Sequence, residues 1–174
     1  MMNRNVKDNK NTIIVVVVLL TLIISVVVLG ILNYKNITER RSLQENDMFL
    51  VTAANYTHTV TKTDILLMNP KIVSANYRDN IRTFTGIPLA KIFDFLDINT
   101  TNVHTVLITS LDGFTTILNI DEALDVDNTF VVFEEDGIGL GTREEGGQGP
   151  YMVIIVNDPF PNRWTKYLME ITLQ

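Results

Sequence analysis

Val103-His104-Thr105-Val106-Leu107-Ile108-Thr109-Ser110 and Phe114-Thr115-Thr116-Ile117-Leu118-Asn119-Ile120 flank Leu111-Asp112-Gly113. Both flanks are rich in β-branched residues, and Asp-Gly supplies the positive φ angles that a tight hairpin needs. The stretch predicts two antiparallel strands. Upstream, residues 48–61 are rich in Val, Thr, Phe and Tyr with rough alternation and read as strands. Thr63-Asp64 caps a short helix over residues 65–68, which Asn69-Pro70 ends. Residues 72–77 read as a strand. Gly86-Ile87-Pro88-Leu89 starts a helix with Pro near its first turn, and Leu89, Ile92, Phe93 and Leu96 repeat at helical spacing. Downstream come a short helix over 121–124, strands over 129–134 and 151–156, a Gly-rich loop over 137–149, and a turn with a closing strand over 162–174. Strands and helices do not alternate as in a doubly wound sheet. The expectation is an α+β domain over residues 48–174, a mixed, largely antiparallel sheet with short marginal helices.

Residues 13–32 carry no charge, and Thr21 and Ser25 are their polar members. Twenty residues rising about 1.5 Å each span roughly 30 Å, the hydrocarbon thickness of a bilayer. A hydroxyl at either position can bond a carbonyl one turn back. The run has no polar face, which excludes a surface-lying helix. It is longer than a signal-peptide core of about 7–15 residues, and no small-x-small cleavage pattern follows. An uncleaved anchor is expected, with residues 1–12 as a cytoplasmic head, 33–47 as a polar stalk and the C-terminal domain extracytoplasmic. Arg4, Lys7 and Lys10 before the span balance Lys35, Arg40 and Arg41 after it, so the short head sets the orientation rather than loop charge.

The chain of 174 residues has a net charge of −6 and no Cys. Residues 1–32 hold Arg4, Lys7, Lys10 and Asp8, a net +2, so the remainder carries −8. Such a domain is repelled by anionic headgroups, and it is no nucleic-acid binder, which needs clustered Lys and Arg. The lipid bilayer is its expected partner, through residues 13–32. Without Cys there is no disulfide, thiolate metal site or thiol nucleophile. His58 and His104 lie in separate runs without metal-ligand spacing. Asp121, Asp125, Asp127 and Asn128 lack the spacing of a calcium loop. Ser110 has no nucleophile elbow around it. Asn36, Asn55 and Asn99 begin N-x-Thr sequons, of which Asn36 in the stalk is the favoured glycosylation site.

Three features remain as candidate ligand contacts. Glycines in the 137–149 loop allow backbone N–H groups to approach an anion, although Glu144 and Glu145 would repel a phosphate. Arg163 can grip a phosphate bidentately and Lys166 can add a point charge. Trp164 can wall an aromatic ligand or fill the core.

Four pieces resemble, in order, the molybdopterin-binding domain of the sulfite oxidase family over residues 74–173. They are Phe84-Thr85-Gly86-Ile87-Pro88-Leu89 with the helix after it, Ser110-Leu111-Asp112-Gly113-Phe114, Gly146-Gly147-Gln148-Gly149-Pro150, and Arg163-Trp164-Thr165-Lys166-Tyr167-Leu168 leading to Ile171. The resemblance implies a molybdopterin-type ligand held by Gly147, Gly149, Arg163, Trp164 and Lys166, and a redox partner protein. The chain departs from the family where catalytic members place the molybdenum-ligating Cys. That segment here is Ser74-Ala75-Asn76-Tyr77-Arg78-Asp79-Asn80, and Asp79 would be a poor substitute for a soft thiolate. Met152 also stands where short members often carry Arg. No Cys-ligated molybdenum is expected. Two functions stay open: pterin binding in redox chemistry without that thiolate, and a non-catalytic cell-surface module with a decayed pterin site.

Overall fold

The computed structural model describes residues 4–54, 56–78 and 80–174. Asn55 and Asp79 lie outside them. The chain divides into two compact units, one ending at Glu39 and the other Arg40–Gln174. Helix α1 runs Arg4–Glu45. Its stretch Ile13–Leu32 has a mean hydropathy of 3.4 and none of it is buried by protein, so it is long and apolar enough to cross a bilayer. The hydroxyls of Thr21 and Ser25 donate to the carbonyls of Val17 and Thr21, both at 2.9 Å, as the sequence led us to expect. The helix does not stop at Leu32 but continues through the expected stalk to Glu45.

The second unit contains two five-stranded sheets rather than one. The first comprises β1 (Met48–Ala53), β2 (Tyr56–Thr61), β5 (Thr105–Ser110), β6 (Thr115–Asn119) and β10 (Leu168–Leu173), in the order β2-β1-β10-β5-β6. Only β1 and β10 pair in parallel, from Leu50 opposite Glu170 to Ala53 opposite Leu173. The second sheet comprises β3 (Lys71–Tyr77), β4 (Asn80–Pro88), β7 (Thr129–Glu135) and β8 (Ile138–Gly139) in that order, with β9 (Met152–Ile155) also paired to β7. Three short helices lie between strands: α2 (Lys62–Leu67), α3 (Leu89–Phe95) and α4 (Ile120–Leu124). The expected fold class is the one found.

One core joins both sheets. Val106 and Ile108 of β5 and Leu118 of β6 are buried, and Thr105, Leu107 and Ile117 are not, following the two-residue period of a half-buried strand. All four residues of β9 are buried, which is why that run is uninterruptedly apolar. Phe49 and Tyr151 meet edge to face at 5.1 Å between ring centres. Each large apolar side chain removed from water contributes about 1.5–3 kcal/mol before the entropy of ordering it.

Two local expectations are corrected. The helix before Pro70 runs Lys62–Leu67 rather than over residues 65–68, and Thr61, not Thr63, is its N-cap. The Thr61 hydroxyl accepts from the Asp64 N–H at 3.3 Å, and the Asp64 carboxylate accepts from the Thr61 N–H at 2.9 Å. Gly86-Ile87-Pro88 does not begin a helix but ends β4, and α3 starts at Leu89. Pro88 has extended geometry there (φ −54°, ψ 135°), suited to the residue before a helix. Gly86 sits where the β4–β7 register shifts, and a Cβ there would lie 2.4 Å from the Val131 carbonyl oxygen. The expected hairpin forms as read, with Gly113 at φ +88° and the Phe114 N–H donating to the Asp112 carboxylate at 3.1 Å.

Candidate functional site

Arg163 ends a 3-10 turn, Pro161–Arg163. Its guanidinium is held by two carboxylates of the same chain. Nε donates to Asp158 at 2.9 Å, and Nη1 and Nη2 donate to the two oxygens of Glu122 at 3.1 and 2.7 Å. Nη2 also donates to the second Asp158 oxygen. The hydrogen bonds to Asp158 and then Glu122 push the Arg163 pKa above its already high ordinary value. One cation facing two anions leaves this cluster with net negative charge, and both bidentate faces of the fork are occupied.

Trp164 points the other way. It is 6% exposed, and its indole N–H donates to the Ile155 carbonyl at 3.1 Å. Phe84 meets it edge to face and Tyr77 at a tilt, with ring centres 5.6 and 5.7 Å away. Thr165 forms a two-way backbone bridge with Val153, which fixes the alternation of this segment. Lys166 then reaches a hollow of about 230 Å³ that it shares with Trp164, Tyr77, Arg78 and Phe160.

Gly147 and Gly149 belong to a loop folded on itself. The N–H groups of Gly146, Gly147, Gln148 and Gly149 donate to the carbonyls of Arg143, Thr142, Leu140 and Gly141, at 2.7–3.1 Å. A Cβ on Gly147 would lie 2.2 Å from the Leu140 carbonyl oxygen, so glycine is required there for the chain's own close approach. The Tyr167 hydroxyl clamps this loop by donating to the Gly147 carbonyl at 2.9 Å, and the Tyr167 N–H donates to Gln148. Gly147 faces a separate hollow of about 310 Å³ with Arg82, Glu135 and Gln148. There Arg82 pairs with Glu135 and lies 4.3 Å from the centre of the Tyr77 ring. The structure thus brings Trp164 and Lys166 together and leaves Gly147, Gly149 and Arg163 elsewhere.

Sequence reasoning did not single out Arg78, Phe160 or Tyr167 as site residues. Tyr167 was visible as an aromatic inside the quoted terminal motif and Arg78 as a member of the quoted segment 74–80; Phe160 carried no local signal. His58 on β2 and His104 ahead of β5 are separated by β1 and β10. Among the described residues no three His, Cys, Asp or Glu side chains form a metal-binding group.

No protein-family model matches the sequence, and no curated protein matches it. Among solved structures the chain is similar to the crystal structure of the sulfane dehydrogenase SoxCD from Paracoccus pantotrophus. The TM-score is 0.61 and the identity 11%, over 75% of this chain and 38% of that one. At that identity the likeness is one of fold. The chain spans well under half the length of that neighbour. The class reached here is an α+β domain of this fold, carrying one helix long and apolar enough to cross a membrane.

Proposed function

We propose that the chain is a single-pass membrane protein with its N-terminus inside and Arg40–Gln174 outside the cytoplasm. In this reading the outer unit is a non-catalytic binding module that retains a sulfite-oxidase-like fold and has lost the molybdopterin cradle. The observation that carries it is the double carboxylate clamp on Arg163. A phosphate would have to displace Glu122 and Asp158, whose side chains are only 18% and 11% exposed, and leave them unpaired in a poorly solvated place. The loop amides add to this, since each expected anion donor already has a carbonyl acceptor. The absence of Cys removes the soft ligand that the family's metal chemistry uses. Arg163 and the loop amides, two of the contacts expected for a molybdopterin-type group, are thus taken up by the chain itself, and Trp164 and Lys166 sit apart from them.

The test is to produce the full chain in a host that makes molybdopterin, purify it in detergent, and oxidise and extract it for pterin fluorescence. The expected result is no pterin above the level of an unrelated membrane protein. Pterin approaching one per chain would overturn the proposal.

A further inference from the structure

We propose that the hollow beside the β3–β4 hairpin binds a small aromatic carboxylate. This rests on the reading above that the module binds something other than molybdopterin. The outer unit is acidic, and Lys62, Lys71, Arg82 and Arg163 are each paired with a carboxylate. Among the described residues Arg78 and Lys166 form no ion pair, yet both line one hollow. Arg78 stands at the hairpin tip with φ +50°, its guanidinium 5.5 Å from the centre of the Tyr77 ring. Two cations without an ion-pair partner among the described residues, at one concavity, attract an anion, and Arg offers a fork suited to a carboxylate.

The walls select the rest of the ligand. Phe160, 63% exposed, presents the open aromatic surface, and Tyr77 and the buried Trp164 line the hollow behind it with their rings already packed on Arg78, Arg82 and Phe84. An exposed large aromatic beside a cationic hollow is where a planar ring can bury apolar area on binding. The Trp164 N–H is already committed to Ile155, so that wall acts through its face and edge. The volume of about 230 Å³ sets the size. A cavity of about 150 Å³ holds benzene, and pockets that bury a whole drug-sized ligand run to roughly 300–1,000 Å³. The hollow has room for one ring with one carboxylate.

Trp164 is the single tryptophan of the chain, so its fluorescence reports on this hollow directly. The full chain in detergent is titrated with benzoate, with benzamide as neutral isostere and acetate as the anion without a ring. The expected result is a saturable change with benzoate and a response at least about tenfold weaker to either control, the worth of one charge-assisted hydrogen bond or one ring contact. Arg78→Gln and Lys166→Gln, both at solvent-accessible positions, should each weaken benzoate about tenfold by the same reckoning, with an unchanged circular dichroism spectrum. Absence of a saturable change, an equal response to benzamide, or indifference to both substitutions would overturn the inference. Its failure is distinct from failure of the reading that the molybdopterin cradle is lost, which the pterin extraction decides.

Discussion

Replacing Gly86 by Ala should destabilise the Arg40–Gln174 unit. The added methyl would lie 2.4 Å from the Val131 carbonyl oxygen, 2.7 Å from Val132 Cγ1 and 2.8 Å from Val132 Cα. Two of these three atoms are backbone. They belong to β7, which is hydrogen-bonded to β4 on one side and to β8 and β9 on the other. A rotamer change cannot relieve the contact, so the sheet must part locally. Overpacking of cores costs about 1–3 kcal/mol, and contact with a pinned strand belongs at the upper end, about 3 kcal/mol. For a domain of this size that corresponds to a drop in Tm of roughly 10 °C. The melt is followed by Trp164 fluorescence in the full chain in detergent. Gly139→Ala is the control, because no atom lies within 4 Å of its added methyl and its φ is not positive. It should change stability by no more than about 0.5 kcal/mol. If Gly86→Ala melts within about 2 °C of the parent, the argument that the β4–β7 bulge requires glycine is wrong.

Three further outcomes are expected. Arg163→Ala strands Glu122 and Asp158 without a counter-charge and should cost about 2 kcal/mol in urea unfolding, less than a fully buried pair because Arg163 is 42% exposed; adding Glu122→Gln and Asp158→Asn should restore part of it. Asp112, Asp136 and Glu145 are held below the ordinary carboxylate range, first by the backbone N–H groups of Phe114, Thr83 and Thr142 and then by the hydroxyls of Ser110, Thr83 and Thr142. Their stabilisation is therefore present above the ordinary carboxylate pKa and lost as pH falls through the lowered one, so replacing all three with the amides should lower stability at pH 7 and flatten its acid limb in a pH series of melts. Because the chain has no Cys, single probes report topology without background: Asn99→Cys should react with an impermeant maleimide in intact cells and Asn3→Cys only after lysis, and the reverse pattern would invert the proposed orientation.

The hairpin at 105–119 was legible because two signals coincide there, a two-residue burial period and an Asp-Gly turn. The apolar span was legible from length alone. The second sheet was less so. Its strand β4 mixes exposed Asn80, Ile81 and Thr83 with buried Phe84 and Ile87, and its apolar end runs straight into a helix with no break in hydrophobicity. Gly86 and Pro88 therefore read as helix punctuation, whereas one serves a bulge and the other closes a strand. The parallel β1–β10 pair was hidden for a different reason, as the two strands are far apart in sequence; the Thr52 hydroxyl donates across them to the Glu170 carboxylate, 118 positions away. The site was hardest. Residue type shows that Arg163 can grip an anion but not which anion, and Glu122 lies 41 positions away. The glycine loop was read as a cradle for something foreign, because glycine permits close approach without specifying what approaches.

The pairing of β1 with β10 has a mechanical consequence. The first strand after α1 lies directly against the last strand of the chain, and because the two run in the same direction, Met48 and Leu173 sit at opposite ends of the ladder. Tension applied between the start of β1 and the end of β10 would load those interstrand bonds in shear, all at once, rather than unzip them singly.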